Sequence, residues 1–205
     1  MRANESTGRP AAHSTTRACG AAAPRVQVRP LAWAAMWSLH AHGPRDDFAR
    51  AVSSITGSSA LPDPQRMVQT PDGAWLAWTG PHGLLLIAGP AAALPPFDVA
   101  RDRLQGTRTV AFDVSDARSG AFIEGAAGAA LLAGGCPADV SVEGFGAEYV
   151  RATVLGALPC TIARPAERAA WWVMVPRSYG TSLRGWLRGP WLDFDVVDAI
   201  EAASP

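Results

Sequence analysis

The chain has 205 residues, a formal net charge of zero and a pI near 6.9. A hydrophobic content of 48% supplies the core of one ordinary domain or of two small ones. The lack of a basic excess argues against binding to nucleic acid or to an anionic membrane. No apolar run reaches the roughly 18 residues that a membrane span needs. All 18 basic residues are arginine, which excludes Schiff-base and P-loop lysine chemistry.

The three cysteines, Cys19, Cys136 and Cys160, are odd in number and form no CxxC pair, and no signal peptide precedes them. This pattern predicts a reduced, cytoplasmic location. Cys136 follows Gly-Gly at a predicted helix C-terminus, which raises the pKa of a thiol. Cys160 falls in an apolar strand and is expected in the core. Neither cysteine is predicted to be a nucleophile.

Composition and turn signals divide the chain into a tail, two units and an extension. Residues 1–24 lack any apolar period and are predicted to be a disordered tail. The first unit, residues 25–106, is expected to have strands at 31–40, 66–70, 74–79 and 83–88, a helix from Asp46 to Thr56 that Gly57 ends, and a short helix at 97–104.

The second unit, residues 107–190, has a comparable order of elements. It is expected to have strands at 108–114, 119–124, 149–155, 158–164 and 170–175, a helix at 126–133, and a last helix at 178–188 with Ser178 as N-cap. Residues 191–205 form a C-terminal extension.

The two units resemble each other in one pair of segments, 75–90 and 161–177. Each segment has a strand, a short polar turn, an apolar strand and a proline exit. The repeat predicts an α+β fold of two strand–helix–strand units, with mainly antiparallel sheets and helices on one face.

Few residues of the sequence are spaced in a way that suggests catalysis or metal binding. His40 and His42 share a strand face but lack a third metal ligand. Asp113 and Asp116 diverge unless a turn intervenes, and Asp116 is expected to satisfy a turn. No Gly-rich phosphate loop is convincing. We therefore expect no catalytic, cofactor-binding or metal-binding residue in this chain.

Aromatic residues and one arginine suggest a contact surface instead. Adjacent Trp171 and Trp172 point to opposite faces of a strand, so one of them tends to leave the core, and an outward tryptophan is a frequent interface anchor. Arg177 and the N-terminus of the last helix are placed to hold an anion or a partner's carboxylate, with an internal salt bridge as the equal alternative.

A family resemblance appears in a set of landmarks whose order and spacing are specific together. They are Asp113-Val114-Ser115-Asp116, Gly135-Cys136-Pro137 with Asp139, the segment RATVLG at 151–156, and Arg177-Ser178-Tyr179 followed by Ser182-Leu183 and Trp186-Leu187. In these positions the chain resembles the gamma subunit of heterotetrameric sarcosine oxidase. The resemblance spans roughly residues 28 to 190.

The resemblance implies an aminomethyltransferase-like fold and a place in a complex with alpha, beta and delta subunits. Such a complex oxidises sarcosine to glycine, passes the one-carbon unit to tetrahydrofolate or releases it as formaldehyde, and makes hydrogen peroxide. FAD, FMN, NAD, zinc and tetrahydrofolate are expected in the partner subunits. Candidate interface residues are Trp171, Trp172, Arg177, Tyr179 and Trp186.

One departure from the transferase pattern favours a non-catalytic role. In that fold, the hairpin after the second unit's helix carries an acidic residue that contacts folate, whereas the matching stretch from Leu155 to Pro165 has no Asp or Glu. Folate binding and proton transfer need such an acceptor. The prediction is a structural gamma subunit, and the alternative is a stand-alone folate-binding aminomethyltransferase-like protein.

Overall fold

The computed structural model describes residues 25–141, 143–165, 170–189 and 195–198. The predicted tail and most of the predicted extension lie outside these residues. The strands are β1 (Arg25–Pro30), β2 (Ala35–Ala41), β3 (Met67–Gln69), β4 (Trp75–Gly80), β5 (Gly83–Ala88), β6 (Thr109–Asp113), β7 (Arg118–Glu124), β8 (Tyr149–Leu155), β9 (Leu158–Arg164), β10 (Ala170–Pro176) and β11 (Asp195–Asp198). The helices are α1 (Arg45–Thr56), α2 (Phe97–Arg103), α3 (Gly128–Ala133) and α4 (Gly180–Leu187).

The described strands form two sheets. One has six strands in the order β11-β1-β7-β10-β9-β8, and the other has five in the order β3-β4-β5-β2-β6. The pairs are antiparallel except for β1 with β11. The predicted α+β class with mainly antiparallel sheets is confirmed.

The two sheets pack face to face, and helices cover the outer face of each one. Strand alternation explains the layers: along β10, Trp171 and Val173 face the core beneath α3 and α4, while Trp172 and Met174 face the other sheet. The outer face of the five-stranded sheet packs on α1 and α2 in the same way. Each sheet therefore buries both faces over part of its area, which explains continuous apolar strands such as β5.

The two halves of the chain exchange strands. β1 comes before the predicted first sheet but pairs with β7, and β6 comes from the second interval but pairs with β2. A division at residue 106 therefore does not divide the sheets. The segment between β1 and β2 crosses from one sheet to the other, with the Leu31 N–H donating to the Gly120 oxygen and the Ala34 N–H to the Ala88 oxygen.

Backbone bonds also join the sheets at the edge formed by β3 and β8. The Met67 N–H donates to the Glu148 oxygen at 2.8 Å, and the Val150 N–H donates to the Gln65 oxygen at 3.0 Å. The Arg66 guanidinium lies 3.8 Å from the centroid of the Tyr149 ring. These contacts close one side of the sandwich.

Two of the predicted elements need correction, and one strand was missed. The predicted strand at 31–40 is shorter, since only Ala35–Ala41 is extended in the sheet, and β1 before it was missed. Ser178 does not cap the last helix, because it lies inside a 3₁₀ turn, Arg177–Tyr179, and α4 begins after it without a side-chain cap. The predicted end of α1 is confirmed, with Gly57 at φ 68°.

No helix in the described part of the chain is both long and apolar enough to cross a membrane.

Candidate interaction surface

Trp171 is the most deeply buried of the predicted interface residues. It is 1% exposed, its ring lies 5.2 Å from that of Phe145, and its indole covers the backbone at Gly128. The structure thus places Trp171 inside the core beneath α3. It takes no part in the surface of this chain.

Trp172 faces the second sheet, as strand alternation requires. It is half-buried and meets Trp75 edge to face, with ring centroids 6.1 Å apart and an angle of 85° between the rings. The two adjacent tryptophans therefore serve two different cores. Trp172 leaves the core beneath α3 and packs between the two sheets, and its contact with a partner stays a prediction.

Trp186 is half-buried and packs on the chain itself. A Cβ atom at Gly135 would lie 2.5 Å from its ring, and one at Gly156 would lie 3.2 Å from its indole nitrogen. The Gly156 N–H donates to the Gly135 oxygen at 2.8 Å, so the two glycines form one platform under the indole. Trp186 thus fixes α4 to the loop after α3 and to the β8–β9 turn.

Arg177 and Tyr179 lie on the surface, in the turn between β10 and α4. The Arg177 backbone N–H donates to the Ala117 oxygen, and its guanidinium donates to the Asp116 backbone oxygen at 3.2 Å. Its distance to the Asp116 carboxylate is 3.5 Å, and that carboxylate is almost wholly exposed. Tyr179 is 39% exposed.

A groove of about 390 Å³ lies beside this turn, between the start of β7, the link after β1 and the inner side of α4. Gly180 allows the helix to approach closely, because a Cβ there would sit 2.7 Å from the Ser119 hydroxyl. Among the described residues that line the groove, none is acidic and three are arginines, Arg118, Arg177 and Arg184.

Sequence reasoning singled out only Arg177 of these three. Arg118 opens β7, and Arg184 lies one turn into α4. The residues next to Arg118 and Arg184 in the sequence do not indicate a site, because the two arginines come together only when β7 and α4 pack against each other. The expected anion-holding role of Arg177 stays a prediction, and the groove gives it two further cations.

The cysteines occupy the core beneath α3 and α4. Burial raises the pKa of the Cys160 thiol to about 12, and the neighbouring Cys136 adds to the rise. The Cys136 sulfur lies 3.7 Å from the Thr153 hydroxyl. A buried thiol that resists ionisation is a poor nucleophile.

The Asp113–Asp116 landmark forms a turn. The Asp113 carboxylate accepts from the Ser115 N–H at 2.9 Å and from its hydroxyl at 2.6 Å. Ser115 accepts from the Met36 N–H, and its backbone oxygen accepts from the Trp33 indole. The turn carboxylate is therefore Asp113, whereas Asp116, which was expected in that role, pairs with Arg177.

The other polar landmarks also satisfy local structure. The Ser141 side chain and backbone donate to Asp139 and hold the pKa of its carboxyl below the usual value. The His40 Nε2 lies 2.8 Å from the Ser38 hydroxyl. Within the described ranges, no three His, Cys, Asp or Glu side chains come together as metal ligands do.

The β8–β9 hairpin lacks the acidic residue of the transferase pattern and buries an arginine at the end of β9. Arg164 is 6% exposed, and its guanidinium donates to the Phe145 oxygen at 2.9 Å. Leu155 to Pro165 are all described and contain no carboxylate. This stretch therefore offers no carboxylate to accept a hydrogen bond or a proton from a folate amine.

No protein-family model matches the chain. It is 29% identical over 171 residues to the sarcosine oxidase subunit gamma of Corynebacterium sp. strain P-1, which covers 82% of this chain and 81% of that protein. It is 28% identical over 173 residues to the sarcosine oxidase subunit gamma of Arthrobacter sp., covering 84% and 83%. This chain resembles sarcosine oxidase gamma subunits. The resemblance predicted from the sequence is confirmed.

Solved structures agree with this result. A chain of heterotetrameric sarcosine oxidase from Corynebacterium sp. U-96, in complex with pyrrole 2-carboxylate, superposes with a TM-score of 0.69 and 26% identity over 82% of this chain and 84% of that one. The glycine cleavage system aminomethyltransferase T of Bartonella henselae gives 0.64 at 14% identity, covering 85% of this chain and 48% of that one. The second likeness shows the aminomethyltransferase-like fold alone.

Proposed function

We propose that this chain is the gamma subunit of a heterotetrameric complex of the sarcosine oxidase type and performs no chemistry of its own. The single observation that supports this most is the match in sequence and fold to one chain of such a complex over more than four fifths of both chains. A similarity of that extent leaves little of this chain for a separate activity. We expect the complex in the cytoplasm.

The non-catalytic part of the proposal is supported by the chemistry of the candidate residues. The stretch from Leu155 to Pro165 contains no carboxylate, and both core cysteines are free and buried. These residues do not fit a tetrahydrofolate site of the transferase kind, because the hairpin offers no carboxylate as a proton acceptor for the folate amine. We propose that FAD, FMN, NAD, zinc and tetrahydrofolate are bound by the alpha, beta and delta partners.

The test is capture of the complex from cells grown on sarcosine, using an affinity tag on this chain. The expected eluate is yellow, contains a large flavoprotein and loses its flavin absorbance when sarcosine is added. The eluate should also release glycine, with formaldehyde or a methylene-tetrahydrofolate product and hydrogen peroxide. A single colourless band would contradict the proposal.

One alternative function is a stand-alone folate-binding transferase. It is suggested by the similarity in fold to aminomethyltransferase T. Calorimetric titration of the purified chain with tetrahydrofolate separates the two functions. We expect no heat of binding, and Arg164→Glu should not create a site, because one carboxylate in a buried hairpin does not rebuild a folate pocket. Tight binding by the unmodified chain would favour the transferase.

A further inference from the structure

We propose that the groove between β7 and α4 receives an acidic segment of a partner subunit, whose carboxylates are bound by Arg118, Arg177 and Arg184. This inference rests on the proposed function, because it names the surface that the assembly uses. It also states which chemical groups bind at that surface, which the similarity to other gamma subunits does not tell.

Arg118 provides the strongest argument. Its side chain is half-buried at the start of β7, and burial lowers the pKa of its guanidinium. The Arg118 side chain makes no hydrogen bond and no ion pair with any described residue. Partial withdrawal of a guanidinium from water without a partner is unfavourable, and a carboxylate from outside the chain offsets that cost through two parallel N–H···O bonds.

The other two arginines are held by contacts that a ligand can replace. Arg184 donates to the Thr181 hydroxyl at 3.4 Å, which is long for a hydrogen bond. Arg177 uses one nitrogen for the Asp116 backbone oxygen at 3.2 Å and the exposed Asp116 carboxylate at 3.5 Å, so its other N–H donors can still bind a ligand. Both guanidiniums therefore remain available at little energetic cost.

The shape of the groove favours a polypeptide segment over a single small ion. Its three cations come from three different elements, and Leu31, Trp33 and Leu183 give it an apolar wall between them. One inorganic anion covers only one or two of these groups. A segment with acidic side chains and an intervening apolar residue covers all of them, and Tyr179 extends the contact surface beyond Arg177.

The experiment compares two double variants of the tagged full-length chain in the capture assay. Arg118→Gln with Arg184→Gln removes two charges from the groove. Arg50→Gln with Arg101→Gln removes two charges from α1 and α2 on the opposite sheet and serves as the matched control. We expect the groove variant to retain at most about a tenth of the captured flavoprotein at physiological salt, and the control variant to retain nearly all of it.

The outcomes separate the two proposals. If the unmodified chain captures no flavoprotein, the proposed function fails. If it does, and the groove variant captures as much as the control, the inference fails. Circular dichroism of both variants shows whether the fold persists; a groove variant that is unfolded is replaced by Arg118→Lys with Arg184→Lys, which keeps charge but loses the planar fork and should still weaken capture.

A second measurement distinguishes a segment from a free anion. Calorimetric titration of the full chain with a short peptide of alternating Glu and Leu should give binding that the groove variant loses. Inorganic phosphate alone should bind far more weakly. Equal binding of phosphate and peptide would overturn the segment and indicate a small-anion site.

Discussion

The packing of Trp186 on two glycines attaches α4 to the rest of the chain. The indole of Trp186 lies directly over Gly135 and Gly156; a Cβ atom at Gly135 would collide with the ring, and one at Gly156 would press against it at 3.2 Å. Since α4 also forms one wall of the arginine groove, this contact sets the position of Arg184. The glycines matter here because of close approach, and Gly156 also has a positive φ of 60°.

Gly135→Ala should therefore lower the free energy of unfolding by about 1–3 kcal/mol, because the new methyl group would lie 2.5 Å from the Trp186 ring and must displace it. Gly185→Ala is the matched control. It lies within α4 with no atom near its Cβ position, so it should raise stability by about 0.5–1 kcal/mol. Urea unfolding monitored by tryptophan fluorescence measures both changes. A loss at Gly185 equal to that at Gly135 would contradict this account.

The buried thiol of Cys160 gives a second residue-scale prediction. Because burial raises its pKa to about 12, the folded state keeps the thiol proton at pH values where the unfolded chain has lost it. The unfolded state then binds fewer protons, so stability falls as pH rises from about 8.5 toward 12. Cys160→Ala should remove that part of the alkaline slope in urea unfolding.

Thiol reactivity checks the same residue independently. In a Cys19→Ser and Cys136→Ser background, the remaining Cys160 should react with a thiol reagent at pH 8 far more slowly in the folded chain than in urea. Equal rates in the two states would show that the thiol is exposed.

At the scale of elements, β10 joins the two cores of the molecule. Trp171 fills the core beneath α3, and Trp172 contacts Trp75 across the sheets. Trp171→Ala should cost about 3–5 kcal/mol, as for other fully buried large side chains. Trp172→Ala should cost less, since its ring is only half-buried.

A double-mutant cycle on Trp75 and Trp172 tests the contact between the sheets. The coupling energy should be about 0.5–1.5 kcal/mol, the range measured for edge-to-face aromatic pairs. The same cycle on Trp78 and Trp171, which belong to different core clusters, should give a value near zero. Coupling of similar size in both pairs would mean that the ring contact is not its source.

Elements with local signals were predictable, and contacts between distant elements were not. Gly57 ends α1 and Gly156 turns the β8–β9 hairpin, as their residue types require. β1 was missed because RVQVRP alone has only two apolar residues, and its place in the sheet depends on β7, which lies about 90 residues later. The same reason limits prediction of the candidate groove. Arg177 could be named from its position before the last helix, whereas Arg118 joins the groove only when β7 and α4 pack together.

At the scale of the whole molecule, exchange of strands between the halves makes the fold interdependent. β1 belongs to the sheet of the second half and β6 to that of the first. Each half alone would lose one strand of its sheet and the contact face of the other sheet. We therefore expect residues 25–106 and residues 107–205 to be unfolded when made separately.

The intact chain should in contrast unfold in one transition, with urea curves from circular dichroism and tryptophan fluorescence that coincide. Extending the first fragment to Asp113 restores β6 but still leaves β1 without β7, so it should not fold either. A folded fragment 107–205 would instead support two independent domains divided at residue 106.

The surface of the molecule bears on its assembly. In the part of the chain that the structure describes, large hydrophobic side chains are seldom exposed; two that are, Val110 at 39% and Phe112 at 57%, lie two residues apart on the same face of β6. β6 ends the order of the five-stranded sheet, so an apolar strip lies beside unpaired backbone groups at an edge, an arrangement that favours association. A partner subunit would cover this strip in the proposed complex, whereas the isolated chain leaves it exposed and should self-associate.

Phe112→Ser should reduce that association with little effect on stability, since a surface substitution changes the free energy of unfolding by roughly 0.5 kcal/mol or less. Val99→Ser, on α2 at 39% exposure, is the control and should leave association unchanged. Sedimentation velocity over a range of concentrations compares the two variants, and equal association in both would assign the effect to another surface.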